Sequence, residues 1–452
     1  MKKVLFIGVC MLFTLSMFAQ TTSGEINGTV TDSTNVALPG VTIVIDSPSL
    51  QGTRTTVTNA NGFFRLPLLP IGVYQATFSI PGFATYTKKG IGVKVGERTK
   101  VDVSLQAANL EESIVVTAEA PLIDTSTTDS SVEMDTQMLS AIPTLTRSVE
   151  DMAKFVPGVA GVRMDAVTGG ENGLPNIRGS GQEANAYMVD GLSSRGSMNF
   201  DNAVAQNFDS IESLQIVTDP YSPEYGKTMG GAINVVTKSG GNEFHGEAGI
   251  LYRNDGLMNR QQTVQNPNAW TGFDNNQQWY NLGGPIIKDK LWFFVSYNYN
   301  KRTFNYDAPD PKTIAAEDMV NYDGTPVAND YTVYTYGDGT NATTNDSLFA
   351  KLTYNINENM SLGFSALDAS IESTQEAGMV ELLRTTKTDQ SRYRLNFNWI
   401  IGDLGVLELK WGQQESDFLS EPNMGRDIAS RYITTIAWSY ANRTRWDEQN
   451  EK

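Results

Sequence analysis

From Phe244 onward the chain alternates between apolar and polar positions. Tyr393, Leu395, Phe397 and Trp399 interleave with Arg392, Arg394, Asn396 and Asn398. Phe293, Val295, Tyr297 and Tyr299 interleave with Phe294, Ser296 and Asn298, and Leu407, Leu409 and Trp411 with Glu408 and Lys410. A two-residue period sends successive side chains to opposite faces of a strand, so one face is apolar and the other wet. About eight such runs are present, near 243–253, 277–287, 290–301, 346–355, 359–369, 390–400, 404–415 and 430–442. Each has roughly the ten residues that a tilted strand needs to cross a hydrocarbon layer.

The connections carry a second, independent signal. Those around Lys288–Asp289, 355–359 and 401–403 are tight; those over 254–276, 302–345, 370–389 and 416–429 are long. Short periplasmic turns and long outer loops alternate in this way in outer-membrane barrels, and a soluble sandwich does not readily reproduce it. Eight strands can close a small barrel, but its interior holds only side chains. A mixed α/β unit of about a hundred residues precedes these runs, so the expectation is a large antiparallel transmembrane barrel of which they are the first strands. The polar run Arg445–Lys452 follows the last of them and reads as an interrupted outer loop.

Upstream, short alternating runs fall over 24–106: Ile26 and Val30; Val41, Ile43 and Ile45; Tyr74, Ala76, Phe78 and Ile80; Val101, Val103 and Leu105. Pro39-Gly40, Asn61-Gly62, Ile71-Gly72 and Pro81-Gly82 punctuate them, the signature of a β-sandwich, here expected to have seven strands. Residues 107–137 are a polar linker that contains one β-prone stretch, Ser113-Ile114-Val115-Val116-Thr117-Ala118. Two readings of it stand: a first strand of the next domain, or a docking strand that adds to the sheet edge of a partner. Over 138–240 a short helix is predicted, capped by Ser148, with Val149, Met152, Ala153 and Val156 on one face and Pro157-Gly158 ending it. Strands follow at Ile211–Val217 and Ala232–Thr237.

Lys2 and Lys3, the apolar stretch Val4–Phe18 and the small Ala19 make residues 1–19 an export signal too short to span a bilayer comfortably. Cys10 lies inside it; a lipoprotein reading is weakened by the poor match of Ile7-Gly8-Val9. With Cys10 cleaved away, disulfides and thiolate metal sites are excluded. Acidic residues outnumber basic ones, 51 Asp+Glu against 34 Lys+Arg, which argues against nucleic acid as a partner. His245 is the only histidine, too few for a zinc peptidase, and no nucleophile elbow or phosphate loop occurs. No cofactor or metal site is predicted: Asp307, Asp310, Asp338 and Asp346 lack the spacing of a calcium loop.

Two blocks of motifs carry a resemblance. Gly28-Thr29-Val30-Thr31-Asp32, Leu38-Pro39-Gly40-Val41, Gly62-Phe63-Phe64, Pro70-Ile71-Gly72-Val73-Tyr74 and Pro81-Gly82-Phe83 resemble the carboxypeptidase regulatory-like domain, with a carbohydrate-binding-like fold, over 22–106. Asn176-Ile177-Arg178-Gly179, Tyr187-Met188-Val189-Asp190-Gly191, Pro223-Glu224-Tyr225-Gly226 and Gly230-Gly231-Ala232-Ile233-Asn234-Val235-Val236-Thr237-Lys238 resemble the plug of TonB-dependent receptors. Leu282-Gly283-Gly284-Pro285-Ile286-Ile287 before Lys290–Phe294 resembles the early barrel strands of the Oar-like members. The resemblance implies a mainly β protein: a sandwich, a linker over 107–137 with a TonB box at Glu112-Ser113-Ile114-Val115-Val116-Thr117-Ala118, an α/β plug over 138–240 and a partial barrel from 243.

It also implies a Gram-negative outer-membrane location, with sandwich and box in the periplasm and lipid around the barrel. The implied partners are the periplasmic domain of TonB, in its complex with ExbB and ExbD, and a solute such as a siderophore, vitamin, glycan or peptide. The function implied is energy-coupled import, not enzyme catalysis; a surface binding or adhesion protein and an Oar-like export channel are the alternatives. Arg178, Asp190 and Glu224 are candidates to meet charged lumen residues, or equally to be solvated; Gly179, Gly191, Gly226, Gly230 and Gly231 permit tight turns and close approach. Trp270, Trp279, Tyr331 and Tyr334 could stack on a ligand or belong to the aromatic girdle, which is the expectation for Trp279.

Overall fold

The structure is a computed structural model, and it describes residues 22–107, 113–117, 130–142, 147–160, 175–180, 184–194, 206–219, 228–257, 272–306, 339–375, 384–402, 405–422 and 438–440. The sandwich comprises β1 (Gly24–Asp32), β2 (Thr42–Asp46), β3 (Arg54–Val57), β4 (Phe63–Leu69), β5 (Gly72–Ser79), β6 (Thr85–Val93), β7 (Arg98–Lys100) and β8 (Val103–Leu105). One sheet has the order β4-β1-β7, with β8 also on β1; the other has β3-β2-β5-β6 and then β9 (Ser113–Thr117). Strands β7 and β8 pair with β1 in one continuous register, Glu25 with Arg98 and Val30 with Val103. They are one strand interrupted at Val101–Asp102, where Asp102 Oδ1 accepts from Thr29 N and Oγ1, so eight segments make the expected seven strands. Ile26, Val30, Ile43, Ile45, Phe64 and Phe78 fill the core between the sheets, as their two-residue spacing dictates.

The α/β unit contains β10 (Ser131–Asp135), α1 (Thr136–Ala141), α2 (Val149–Ala153), β11 (Val159–Ala160), β12 (Asn176–Ile177), β13 (Ala186–Val189), β14 (Leu192–Ser193), β15 (Ile211–Val217) and β16 (Ala232–Thr237). Its main sheet has the order β10-β15-β16-β13-β14. Ser148 caps α2 by accepting from Asp151 N, and Val149, Met152, Ala153 and Val156 are buried against Leu214, Ile216, Ile233 and Val235 of the sheet. Strands β10, β13 and β14 and helix α1 were not legible beforehand: each is six residues or fewer, too short to show a period.

The third unit is an antiparallel sheet of β17 (His245–Asn254), β18 (Gly272–Ile287), β19 (Leu291–Tyr306), β20 (Gly339–Asn357), β21 (Met360–Gln375), β22 (Arg384–Ile401), β23 (Gly405–Pro422) and β24 (Trp438–Tyr440), paired in chain order. Its surface is inside out relative to a soluble protein. Tyr280, Leu282, Leu352, Tyr354, Phe364, Leu395, Leu409 and Trp411 are exposed, while Asn275, Gln277, Ser296, Ser347, Ser365, Arg392 and Arg394 are buried. Exposed apolar rows on one face and buried polar rows on the other are what lipid outside and a plugged lumen inside require. Strands β18 to β23 have 16 to 19 residues, well beyond the expected ten. The extra length lies toward the long loops, in stretches such as Thr340–Asn345 that are polar on both faces and so show no alternation.

The sandwich stands at the end of the barrel sheet where the turns are tight. Asn355 Nδ2 reaches Gln51 O at 3.5 Å, and Gly52 abuts Asp289 of the β18–β19 turn. That turn places the sandwich on the periplasmic side.

Candidate functional site

The α/β unit meets the lumen wall at a seat built around Asp190. Strands β13 and β14 pair antiparallel, Val189 with Leu192, leaving Asp190-Gly191 as a two-residue hairpin turn. Both residues have positive φ, 48° and 73°, the type I′ pattern for which Asp-Gly is a strong sequence signal. The turn carries the Asp190 carboxylate beneath β16, where Oδ1 accepts from Thr237 N at 3.0 Å and Oδ2 from Thr237 Oγ1 at 2.8 Å. Across the junction, Lys351 Nζ of β20 donates to Thr237 O at 3.0 Å and Oγ1 at 2.9 Å, and lies 4.0 Å from Asp190 Oδ1. Burial alone would raise the Asp190 carboxyl; Lys351, Arg394 and the two Thr237 bonds outweigh it and hold it below the usual value of 3.8.

A second contact centres on Arg147. Its guanidinium lies 4.1 Å from the Trp279 ring and 5.3 Å from that of Phe208, and donates to Asp209 Oδ1 at 2.6 Å. The other Asp209 oxygen accepts from Asn298 Nδ2 of β19, and Asn207 Nδ2 donates to Ser296 Oγ. Burial pushes the Asp209 carboxyl up, opposed by Arg147, Asn298 and Lys238. Trp279 is therefore not a girdle residue. It shares the lumen face of β18 with Asn275 and Gln277, while Tyr280 and Leu282 face outward. In β22, Arg392 donates to Ser194 Oγ and Gln206 Oε1, and Arg394 to Leu192 O.

The other nominated residues fall in several places. Arg178 pairs with Asp219 of its own unit at 2.6 Å. Arg178-Gly179 form a second turn with positive φ, 51° and 76°. Gly230 and Gly231 pack where side chains would not fit, a Cβ at Gly231 falling 2.3 Å from Ile177 Cδ1 and 2.8 Å from Val217 O. Asn234 is buried in mid-sheet beside its register partners Met188 and Gln215. Glu224 and Gly226 lie outside the described residues, as do Glu112, Ala118, Trp270, Tyr331, Tyr334, Asp307, Asp310 and Asp338. Asp346 lies within β20, not in a loop. The segment Ser113–Thr117 is a strand, and it runs parallel to β6 as the outermost strand of the sandwich sheet among the described residues.

Residues 25–106 match the family described as carboxypeptidase regulatory-like domain, 124–233 the TonB-dependent receptor plug domain, and 236–319 an outer membrane beta barrel domain. In order along the chain, these stretches match the parts of a TonB-dependent receptor. It is 29% identical over 463 residues to the TonB-dependent transporter Oar of Myxococcus xanthus, covering 93% of this chain and 42% of that protein. A probable TonB-dependent siderophore receptor, PirA, of Acinetobacter baumannii is 30% identical over 167 residues, covering 34% of this chain and 20% of that protein. The solved structure of the A. baumannii receptor PirA aligns with a TM-score of 0.43 at 20% identity, covering 64% of this chain and 40% of that one. The chain thus spans less than half the length of these relatives.

In receptor terms the α/β unit is the plug, the inside-out sheet is its barrel wall, and the protein resides in the Gram-negative outer membrane. Asp190, Arg147 and Asp209 are plug residues that hold the wall; Lys351, Trp279, Asn298, Arg392 and Arg394 are wall residues that hold the plug. Of these, the motif singled out Asp190 alone. Trp279 was singled out as an aromatic but expected on the other face; the remaining wall residues carried no signal beyond lying on the polar face of their strands.

A further contact joins plug to sandwich. Burial on β10 pushes the Glu133 carboxyl up to about 7, with Glu97 adding to the rise and Lys94 opposing it. A carboxyl raised in the folded state from 4.5 contributes stability that is complete below pH 4.5 and is lost as pH rises through about 7. The receptor is therefore expected to be more stable at pH 6 than at pH 8 by about 1 kcal/mol from this group. Glu133→Gln should flatten that part of the difference between thermal unfolding curves recorded at the two pH values.

Proposed function

We propose that the receptor binds a solute from outside on its long-loop side and admits it when TonB, energised from the inner membrane, pulls on the box at Glu112–Ala118. The observation that carries this reading is a plug held to the wall, among the described residues, by polar contacts, Asp190–Thr237–Lys351 chief among them. Such contacts hold firmly at rest yet consist of hydrogen bonds that water can replace as the plug shifts. A wall–plug junction packed with apolar side chains would have no such exchange available. The motif glycines Gly179, Gly191, Gly230 and Gly231, with Arg178 and Asn234, serve in this reading to keep the plug compact behind its seat; Glu224 is in this reading a candidate partner for charged lumen residues. The outer membrane holds no ATP and no steep ion gradient, so a large solute requires energy delivered from elsewhere.

A ferric siderophore is the first solute class to test, since of two relatives that match parts of the chain one is named a probable siderophore receptor and the other a ferric enterobactin receptor. Cells that produce the receptor should accumulate such a chelate only while the inner-membrane proton gradient stands. Val115→Pro removes a backbone donor from the box. The variant should lose most of that accumulation while reaching the outer membrane in normal amount. Accumulation that survives both collapse of the gradient and the proline would contradict the proposal.

A further inference from the structure

We infer that the sandwich is a presenting platform for the box: it holds Ser113–Thr117 as the last strand of its own sheet, so that TonB adds the next strand. The inference rests on the reading of this segment as the TonB box. Five consecutive register pairs, Thr85 with Ser113 through Lys89 with Thr117, set β9 beside β6. The sheet order is β3-β2-β5-β6-β9, so one edge of the box is paired and the other is the outer edge of the sheet among the described residues.

The path of the chain makes this placement part of the sandwich fold. The chain leaves β8 on the opposite sheet, and Ala84 N donates to Gln106 O at 2.9 Å, while Phe83 bridges Ala107. These contacts bring the chain onto the line of β6 before the box begins, and a strand approaching from there runs parallel to it. Sheet-edge addition gains its affinity from main-chain hydrogen bonds and offers an unpaired edge as a template. A segment in a free tether must be ordered as it binds, whereas one already extended on β6 has been ordered in advance. The fitting partner is therefore a protein that itself exposes an edge strand, which is the mode of recognition assigned to TonB.

The test uses the full chain purified in detergent, which contains no cysteine once the signal with Cys10 is removed. Neighbouring strands lie about 4.8 Å apart, within disulfide reach, so Lys89→Cys with Thr117→Cys should cross-link on oxidation. Lys89→Cys with Ser113→Cys is displaced by four residues, about 13 Å along the strand, and should not. Binding of the purified periplasmic domain of TonB is then compared before and after oxidation. The inference expects the first pair alone to cross-link, and the locked chain to bind TonB at least as tightly as its reduced form. Failure of the register pair to cross-link overturns it, because the platform does not then hold the box. Binding weakened about tenfold or more by the lock also overturns it, because β6 then hides the box instead of presenting it. A chain that cross-links as expected but binds no TonB in any form removes the underlying box reading, and this inference with it.

Discussion

Asp190→Ala should loosen the plug from the barrel wall at a cost of about 1–3 kcal/mol, the range for leaving hydrogen-bonding groups without their partner. The carboxylate accepts from both Thr237 N and Thr237 Oγ1, and Lys351 is anchored through the same threonine. Alanine leaves the Thr237 amide without that acceptor and the Lys351 ammonium without its counter-charge in a part-buried place. It also puts a residue that tolerates the left-handed region poorly at φ 48°. Asp190→Asn keeps an acceptor and tolerates the turn, so it should recover part of the loss. Protease sensitivity of the plug in detergent-solubilised receptor would report both. Because the Asp190 carboxyl is held below 3.8, its contribution is present above that value and lost as pH falls through the lowered one.

Arg147→Ala should produce a loss at least as large, which acid also reduces. The guanidinium is the direct counter-charge of buried Asp209 and stacks on Trp279, so its removal leaves a buried carboxylate with the Asn298 hydrogen bond and the charge of Lys238 in its place. The expected cost is about 3–5 kcal/mol near pH 8. The Asp209 carboxyl is already raised, and without Arg147 it rises further. A carboxyl raised in the folded state contributes stability at low pH that disappears as pH rises through its folded value. The deficit of the variant should therefore shrink when the protease assay is repeated at pH 5. Arg147→Lys restores charge but not the planar stack, and should recover less than the whole.

These two anchors show what sequence could and could not reveal. The barrel strands were legible because lipid and lumen impose different chemistry on alternate residues, as at Tyr393, Leu395 and Phe397 against Arg392, Arg394 and Asn396. Their ends were not, because above the hydrocarbon layer both faces of a strand such as β20 are wet and the alternation disappears. Asp190-Gly191 was legible as a tight turn; that Asp190 would meet Lys351, more than 150 residues later, depends on how plug and wall dock. Trp279 was misplaced because an aromatic in a strand does not declare its face until Tyr280 and Leu282 fix the parity. Ser113–Thr117 was legible as a β-prone stretch, but an isolated strand does not encode its neighbour, and its pairing with β6 emerges only from the crossover at Gln106–Ala107.

The central claim is that Ser113–Thr117 is the handle by which TonB engages this receptor. Its most direct test is the binding of the purified periplasmic domain of TonB to the full chain and to its Val115→Pro variant, measured side by side. The account predicts binding by the unaltered chain and a loss of about tenfold or more with the proline, which removes a ladder hydrogen bond and disrupts a five-residue strand. Equal binding by the two proteins would contradict it.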